Sequence, residues 1–331
     1  MMNREWLALH SEEVIEPDLE IVDPHHHMWD YETVYGAYEL DDLRTDTDAG
    51  HNVVETVFID CGANYRTEGP VHLQPVGETE YIIGRAEASD SSPGARISAI
   101  VSRADLTLGS AVAEVLEAHI EAGRGRFRGI RNAGARTDEP SIPSSRAQAP
   151  LGLYTQEDFK QGARTLASMG LSFEAWQYHT QLNDVVDLAR AVPELPIIVN
   201  HVGGPLGVGS YADRRDEVWA DTRRGLAALA ELDNVVLKVG GIGMTRYGVG
   251  WENDATPPSS DEVLGVWGDM LSFCIETFGP SRCMFESNYP VDGETCSYVV
   301  LWNAFKKVSA GYSTSERAEL FAGTARRIYR L

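Results

Sequence analysis

The stretch EIVDPHHHMWD, residues 20–30, decides how the rest of the chain is read. Its first part, EIVDPHH (20–26), is short, carries Ile21 and Val22 without helical period, and reads as one strand crossing a sheet. The strand runs out in three consecutive histidines. Side chains alternate along a strand, so Asp23, His25 and His27 share one face and His26 takes the other. Two neutral imidazoles two residues apart on one face are able to bind one metal ion. Asp23 then stands behind them, either as an acceptor for a ligand or as a brace for the backbone.

Working outward, seven more apolar runs follow: VVETVFIDC (53–61), RISAIV (96–101), FRGIR (127–131), LSFEAWQY (171–178), PIIVNH (196–201), NVVLKVG (234–240) and RCMFESN (282–288). Runs this continuous suit strands covered on both faces. Helical periods lie between them. Ser110 precedes a stripe of Val112, Val115 and Leu116 that Gly123 closes, and Thr180 precedes Leu182, Val185, Val186 and Ala189. Residues 213–232, 261–278 and 314–328 read as further helices, Ser315 standing ahead of the last stripe. Eight strands alternating with helices predict parallel βαβ units closed into a single-domain α/β fold, a (β/α)8 TIM barrel over residues 20–331. Residues 1–19 form an N-terminal extension. The rival is a doubly wound open sheet, but no glycine-rich phosphate loop follows the first strand. Stretches 61–80 and 132–157 read as long loops over the active end of the barrel.

Charge narrows the function classes. Of 331 residues, 28 are Lys or Arg and 50 are Asp or Glu, a formal charge of −22. A nucleic-acid surface or an anionic membrane would call for clustered cations instead. The four cysteines lie far apart, with no C-x-x-C, which excludes a disulfide framework and a zinc ribbon. The N-terminus has no secretory apolar core and no run reaches the length of a membrane span, so a cytoplasmic protein with reduced thiols is expected.

Barrel chemistry collects at the C-terminal ends of strands. His179 ends the fifth strand there and His201 the sixth. These two further strand-end histidines strengthen the case for a metal at His25 and His27, and His201 would orient or protonate an oxyanion or leaving group, with Glu286 or Asp292 as base. On the last strand Glu286 and Asn288 share a face, Glu286 pointing into the barrel beneath Asn288; the plain alternative is a structural Glu held by Lys238 or Arg131. Arg131, at the end of the fourth strand, suits a substrate carboxylate. Tyr247 and Trp251, in or beside the glycine-rich loop GGIGMTRYGVG (240–250), would close over a ligand. An inward His179 places Glu174 against the helices, an awkward position for a charge that argues for a bulge. His119 reads as a partly solvated helix residue without chemistry, and His10, His51 and His72 show none either.

VDPHHHMWD, YHTQL, NHVGGP and FESNYPVD together resemble the amidohydrolase superfamily, in the branch called amidohydrolase 2. That branch holds sugar lactonases, muconolactone-type lactonases, a pyrone dicarboxylate hydrolase and, more distantly, decarboxylases. The resemblance runs from about residue 20 to the C-terminus and implies the barrel, the ligands His25, His27 and His179, and the sixth-strand His201. The strand-eight aspartate of the family falls on Asn288, and a neutral amide cannot act as a base. Glu286 or Asp292 is the carboxylate at hand to replace it. The expected function is a hydrolase of a small carboxylate-bearing lactone or related cyclic ester or amide, using a divalent metal, zinc first and iron or manganese next. The alternatives are a decarboxylase or oxygenase on the same fold, or a non-catalytic paralogue subunit. A small-molecule substrate, and association with itself or with a paralogue, complete the expectation.

Overall fold

Each of the eight apolar runs forms a strand, and the strands pair in chain order. The computed structural model describes residues 2–142 and 149–331. Strands β1 (Glu20–His26), β2 (Asn52–Ile59), β3 (Arg96–Ser102), β4 (Phe127–Arg131), β5 (Ser172–Ala175), β6 (Ile197–Val199), β7 (Val235–Gly240) and β8 (Cys283–Glu286) make one parallel sheet. The barrel closes where β8 returns to β1: His27 N donates to Tyr289 O at 2.8 Å. Asp23 reinforces the seam, because its Oδ1 accepts from Ser287 N at 3.0 Å and its Oδ2 from Tyr298 Oη at 3.0 Å. Its carboxylate therefore braces backbone rather than an imidazole.

A short α1 (Arg4–Leu7) precedes the barrel, and one helix follows each strand: α2 (Leu40–Thr47), α3 (Val76–Asp90), α4 (Val112–Ala122), α5 (Glu157–Ser168), α6 (Leu182–Ala191), α7 (Arg215–Ala230), α8 (Ser260–Phe278) and α9 (Tyr298–Val308). The stripe of Leu182, Val185, Val186 and Ala189 is buried as its spacing requires. Each Leu or Val removed from water there contributes about 1.5–3 kcal/mol. The caps differ from expectation. Neither Ser110 nor Thr180 caps a helix, because a short turn intervenes in each case; Asp105 Oδ1 instead takes Thr107 N at 3.0 Å. The extension before β1 is fastened to the outer ring, with Ile15 N donating to Asn303 Oδ1 at 2.9 Å and Glu12 Oε2 accepting from Ser260 Oγ at 2.6 Å. The loop after β4 is described except for residues 143–148, so that part of the predicted active-end loop lies outside the described residues.

The predicted last helix, 314–328, is broken. Ser313, not Ser315, caps α10 (Thr314–Ala318), one wide turn follows at Glu319–Gly323, and α11 (Thr324–Tyr329) completes the chain. The segment serves two surfaces: Leu320 and Phe321 join the shell between strands and helices, whereas Ala322, Ala325 and Tyr329 plug the base of the barrel. Above that plug the interior is apolar, with Val22, Val57, Ala99, Ile198, Val236 and Met284.

A polar layer lies on top of this floor, and it corrects the reading of β5. Phe173 and Ala175 belong to the outer shell, so Glu174 points inward and not toward the helices. Its charge is matched there: Lys238 Nζ stands 3.0 Å from Glu174 Oε2, and Asn200 Nδ2 and Tyr329 Oη donate to the same carboxylate. His119 is likewise buried, not solvated.

Candidate active site

The first strand delivers its two imidazoles as parity requires. His25 Nε2 and His27 Nε2 are 3.3 Å apart. Two nitrogens bound at about 2.0–2.1 Å to one tetrahedral ion are separated by roughly that distance. The opposite ring nitrogens are both engaged. His27 Nδ1 lies 2.7 Å from Ile59 O, which only accepts, so the proton sits on Nδ1 and the Nε2 lone pair faces His25. His25 Nδ1 lies 2.7 Å from Glu286 Oε2 and 3.3 Å from Lys238 Nζ, which only donates. Burial first, and then the neighbouring cations, hold both imidazoles well below the usual histidine range, that is, neutral. Neutral imidazoles are ligands for a divalent metal.

Glu286 reaches a second histidine. Its Oε1 accepts from His201 Nδ1 at 2.7 Å and from His201 N at 3.1 Å. His25, His201 and Glu286 each bring a ligand-type atom within 4.8 Å of the others. Burial pushes the Glu286 carboxyl up to about 8, against the pull of Lys238. The sequence makes room for this arrangement with glycine. A Cβ at Gly241, where φ is +65°, would meet His201 Nδ1 at 2.1 Å, and one at Gly240 would meet Glu286 O at 2.2 Å. His201 itself has φ of 53°, in the left-handed region, which turns its ring back over the barrel mouth. Its ring centroid is 4.6 Å from that of His25 and 4.7 Å from that of Trp176.

Other expected site residues lie elsewhere. β5 ends at Ala175, so strand alternation no longer governs His179. Its Nδ1 accepts from Leu206 N at 3.3 Å and its ring meets Tyr211, in a groove with Asn183, Asp221 and Arg224. No hydrogen bond or ring contact among the described residues joins it to His25 or His27. Asn288 Nδ2 donates to Asp292 Oδ1 at 2.7 Å, and Gly243 N donates to Asp292 Oδ2 at 2.8 Å. That pair ties the end of β8 to the loop after β7 and makes no hydrogen bond to the histidines among the described residues. Tyr247 is packed inside, its ring against Trp267 and its hydroxyl 3.4 Å from His201 O, so it supports the backbone of His201 from behind.

Arg131 lies between the imidazoles and a cavity of about 630 Å³ over the ends of β2, β3 and β4. Its Nη1 is 3.4 Å from His25 Nε2, its Nη2 donates to Asp60 O, and its Nε is 3.7 Å from Asp60 Oδ2. Asp60, Tyr65, Arg103 and Trp176 also line the cavity, and sequence reasoning missed all four. Asp60 and Arg103 directly follow β2 and β3, so the strand-end rule that selected His179 and His201 would have reached them too.

Comparison with known proteins agrees with this architecture. Residues 22–331 match the profile of the Amidohydrolase family. The protein y4mH of Sinorhizobium fredii is 31% identical over 334 residues, covering 95% of this chain and 99% of its own. An L-fucono-1,5-lactonase of Burkholderia multivorans is 25% identical over 269 residues, 79% of this chain and 83% of its own. The crystal structure of a Burkholderia multivorans amidohydrolase with bound zinc superposes with a TM-score of 0.71 at 23% identity, covering 94% of this chain and 99% of that one.

Proposed function

This chain belongs to the amidohydrolase family, and from that premise we propose that it is a metal-dependent hydrolase opening a small carboxylate-bearing lactone or related cyclic ester. The observation that carries the reading is the pair of Nε2 atoms 3.3 Å apart on two buried, neutral imidazoles. His25 and His27 would hold the ion, with His201 beside them; imidazole donors suit zinc first, and iron or manganese next. Such an ion polarises a carbonyl and lowers the pKa of water toward about 7.

The chain's own groups supply the proton handling. His201 donates Nδ1–H to Glu286, so its Nε2 is free to take a proton from water and return it to the leaving oxygen. Glu286 is fully buried behind two imidazoles and acts by orienting His201, not by touching substrate. The carboxylate that replaces the missing strand-eight aspartate is therefore coupled to His201 rather than placed at the position of Asn288. Arg131, locked by Asp60, keeps positive charge beside His25 and opposes reprotonation of that ring.

The test is elemental analysis of protein purified without added metal, joined to a proton-release screen of sugar lactones and lactone carboxylates. About one divalent ion per chain, lost in the double variant His25→Ala/His27→Ala together with turnover, is expected. An ion retained by that variant, or a fully loaded wild type that opens none of the lactones, refutes the reading.

A further inference from the structure

We infer that Arg103, at the end of β3, is the residue that recognises a carboxylate on the substrate, in place of Arg131. This deepens the proposed function and rests on it for which end of the ligand reacts. Two arginines line the cavity, and they differ in how they are held. The Arg131 guanidinium is spent on Asp60, through both its carbonyl and its carboxylate, and abuts His25. The Arg103 guanidinium has no hydrogen bond or ion pair among the described residues.

The backbone of Arg103, by contrast, is pinned. His119 Nε2 donates to Arg103 O at 3.0 Å, His119 Nδ1 accepts from Thr79 Oγ1 at 2.8 Å, and Thr79 is bonded to Ser102 Oγ at 2.6 Å. A fixed stem with a free planar fork is prepared for bidentate binding of a carboxylate. The acidic neighbours are already occupied. Asp60 takes Tyr65 Oη at 3.0 Å and Arg131, and Asp105 takes Thr107 N at 3.0 Å and Thr107 Oγ1 at 2.6 Å. Of the two guanidiniums lining the cavity, that of Arg103 is the one left with open donors for an incoming carboxylate.

Titration calorimetry of the intact protein with glutarate, and with glutaramide as its neutral analogue, tests the inference. Wild type is expected to bind glutarate well above glutaramide. Arg103→Met should weaken glutarate binding about 10–100-fold with an unchanged melting temperature, and Arg103→Lys should lose less. Glutarate affinity should survive removal of metal by a chelator. Equal binding of acid and amide, no binding of either, or an Arg103→Met variant that binds glutarate like wild type overturns the assignment. Glutarate binding that disappears with the metal also overturns it, while leaving the hydrolase reading intact. Arg103-dependent binding in a chain that holds no metal and turns nothing over would do the reverse.

Discussion

At Glu286 a fully buried carboxylate meets the Nδ1 atoms of two imidazoles, each at 2.7 Å. Its Oε1 accepts from His201 Nδ1 and so orients that ring, while Oε2 stands beside His25 without a hydrogen bond. Glu286→Gln keeps the volume but replaces one acceptor oxygen with an NH2 that cannot accept from an imidazole. The expected result is a kcat lower by about 10²–10⁴-fold at little change in KM, with metal affinity about 10–100-fold weaker. Steady-state kinetics and metal titration on the refolding-competent variant check it, and a variant within tenfold of wild-type kcat refutes the role. At this scale the sequence was partly legible. Parity placed His25 and His27 together and turned Glu286 inward. It said nothing of the partner of Glu286, because that contact joins β8 to the end of β6 across the barrel.

The element that departs most from its sequence pattern is the last one. A stripe of Leu320, Phe321, Ala325 and Ile328 reads as one amphipathic helix, yet the wide turn at Glu319–Gly323 divides its burial between the outer shell and the barrel floor. Through α11, Tyr329 Oη reaches Glu174, whose other oxygen faces Lys238. Tyr329→Phe removes that donor and leaves a buried carboxylate oxygen short of a partner. It is expected to cost about 1–3 kcal/mol, read by urea unfolding; a change below about 0.5 kcal/mol would show that Lys238 and Asn200 alone satisfy Glu174. The strand cores were legible element by element, since continuous apolar runs allow few other readings. The caps were not, because short turns before α4 and α6 displaced Ser110 and Thr180 from the helix starts.

For the molecule as a whole, acid sensitivity follows from a histidine buried neutral on the outer side of the barrel, His119. Burial pushes His119 down to about 4 from an ordinary 6.5, against the Arg103 carbonyl, which favours its charged form. Above pH 6.5 neither state is protonated there; below it only the unfolded chain takes the proton, so stability falls as pH drops from 6.5 toward 4. Wild type should lose about 2 kcal/mol more than His119→Gln between about pH 7 and pH 5, measured as the difference of urea unfolding free energies; equal losses would refute the assignment. The barrel and its reactive end were determined by the sequence itself. Eight apolar runs of strand length, interleaved with helical periods, have one economical closure, and histidines at the strand ends mark the face where chemistry collects. Only the tertiary structure decided which of those side chains meet. Alternation holds while a chain stays in a strand, so it carried His25, His27 and Glu286 but failed for His179, four residues beyond the end of β5. Glu174 found Lys238 and Tyr329, and Arg131 found Asp60, through the barrel interior, where the distance between partners is set by closure and not by spacing along the chain.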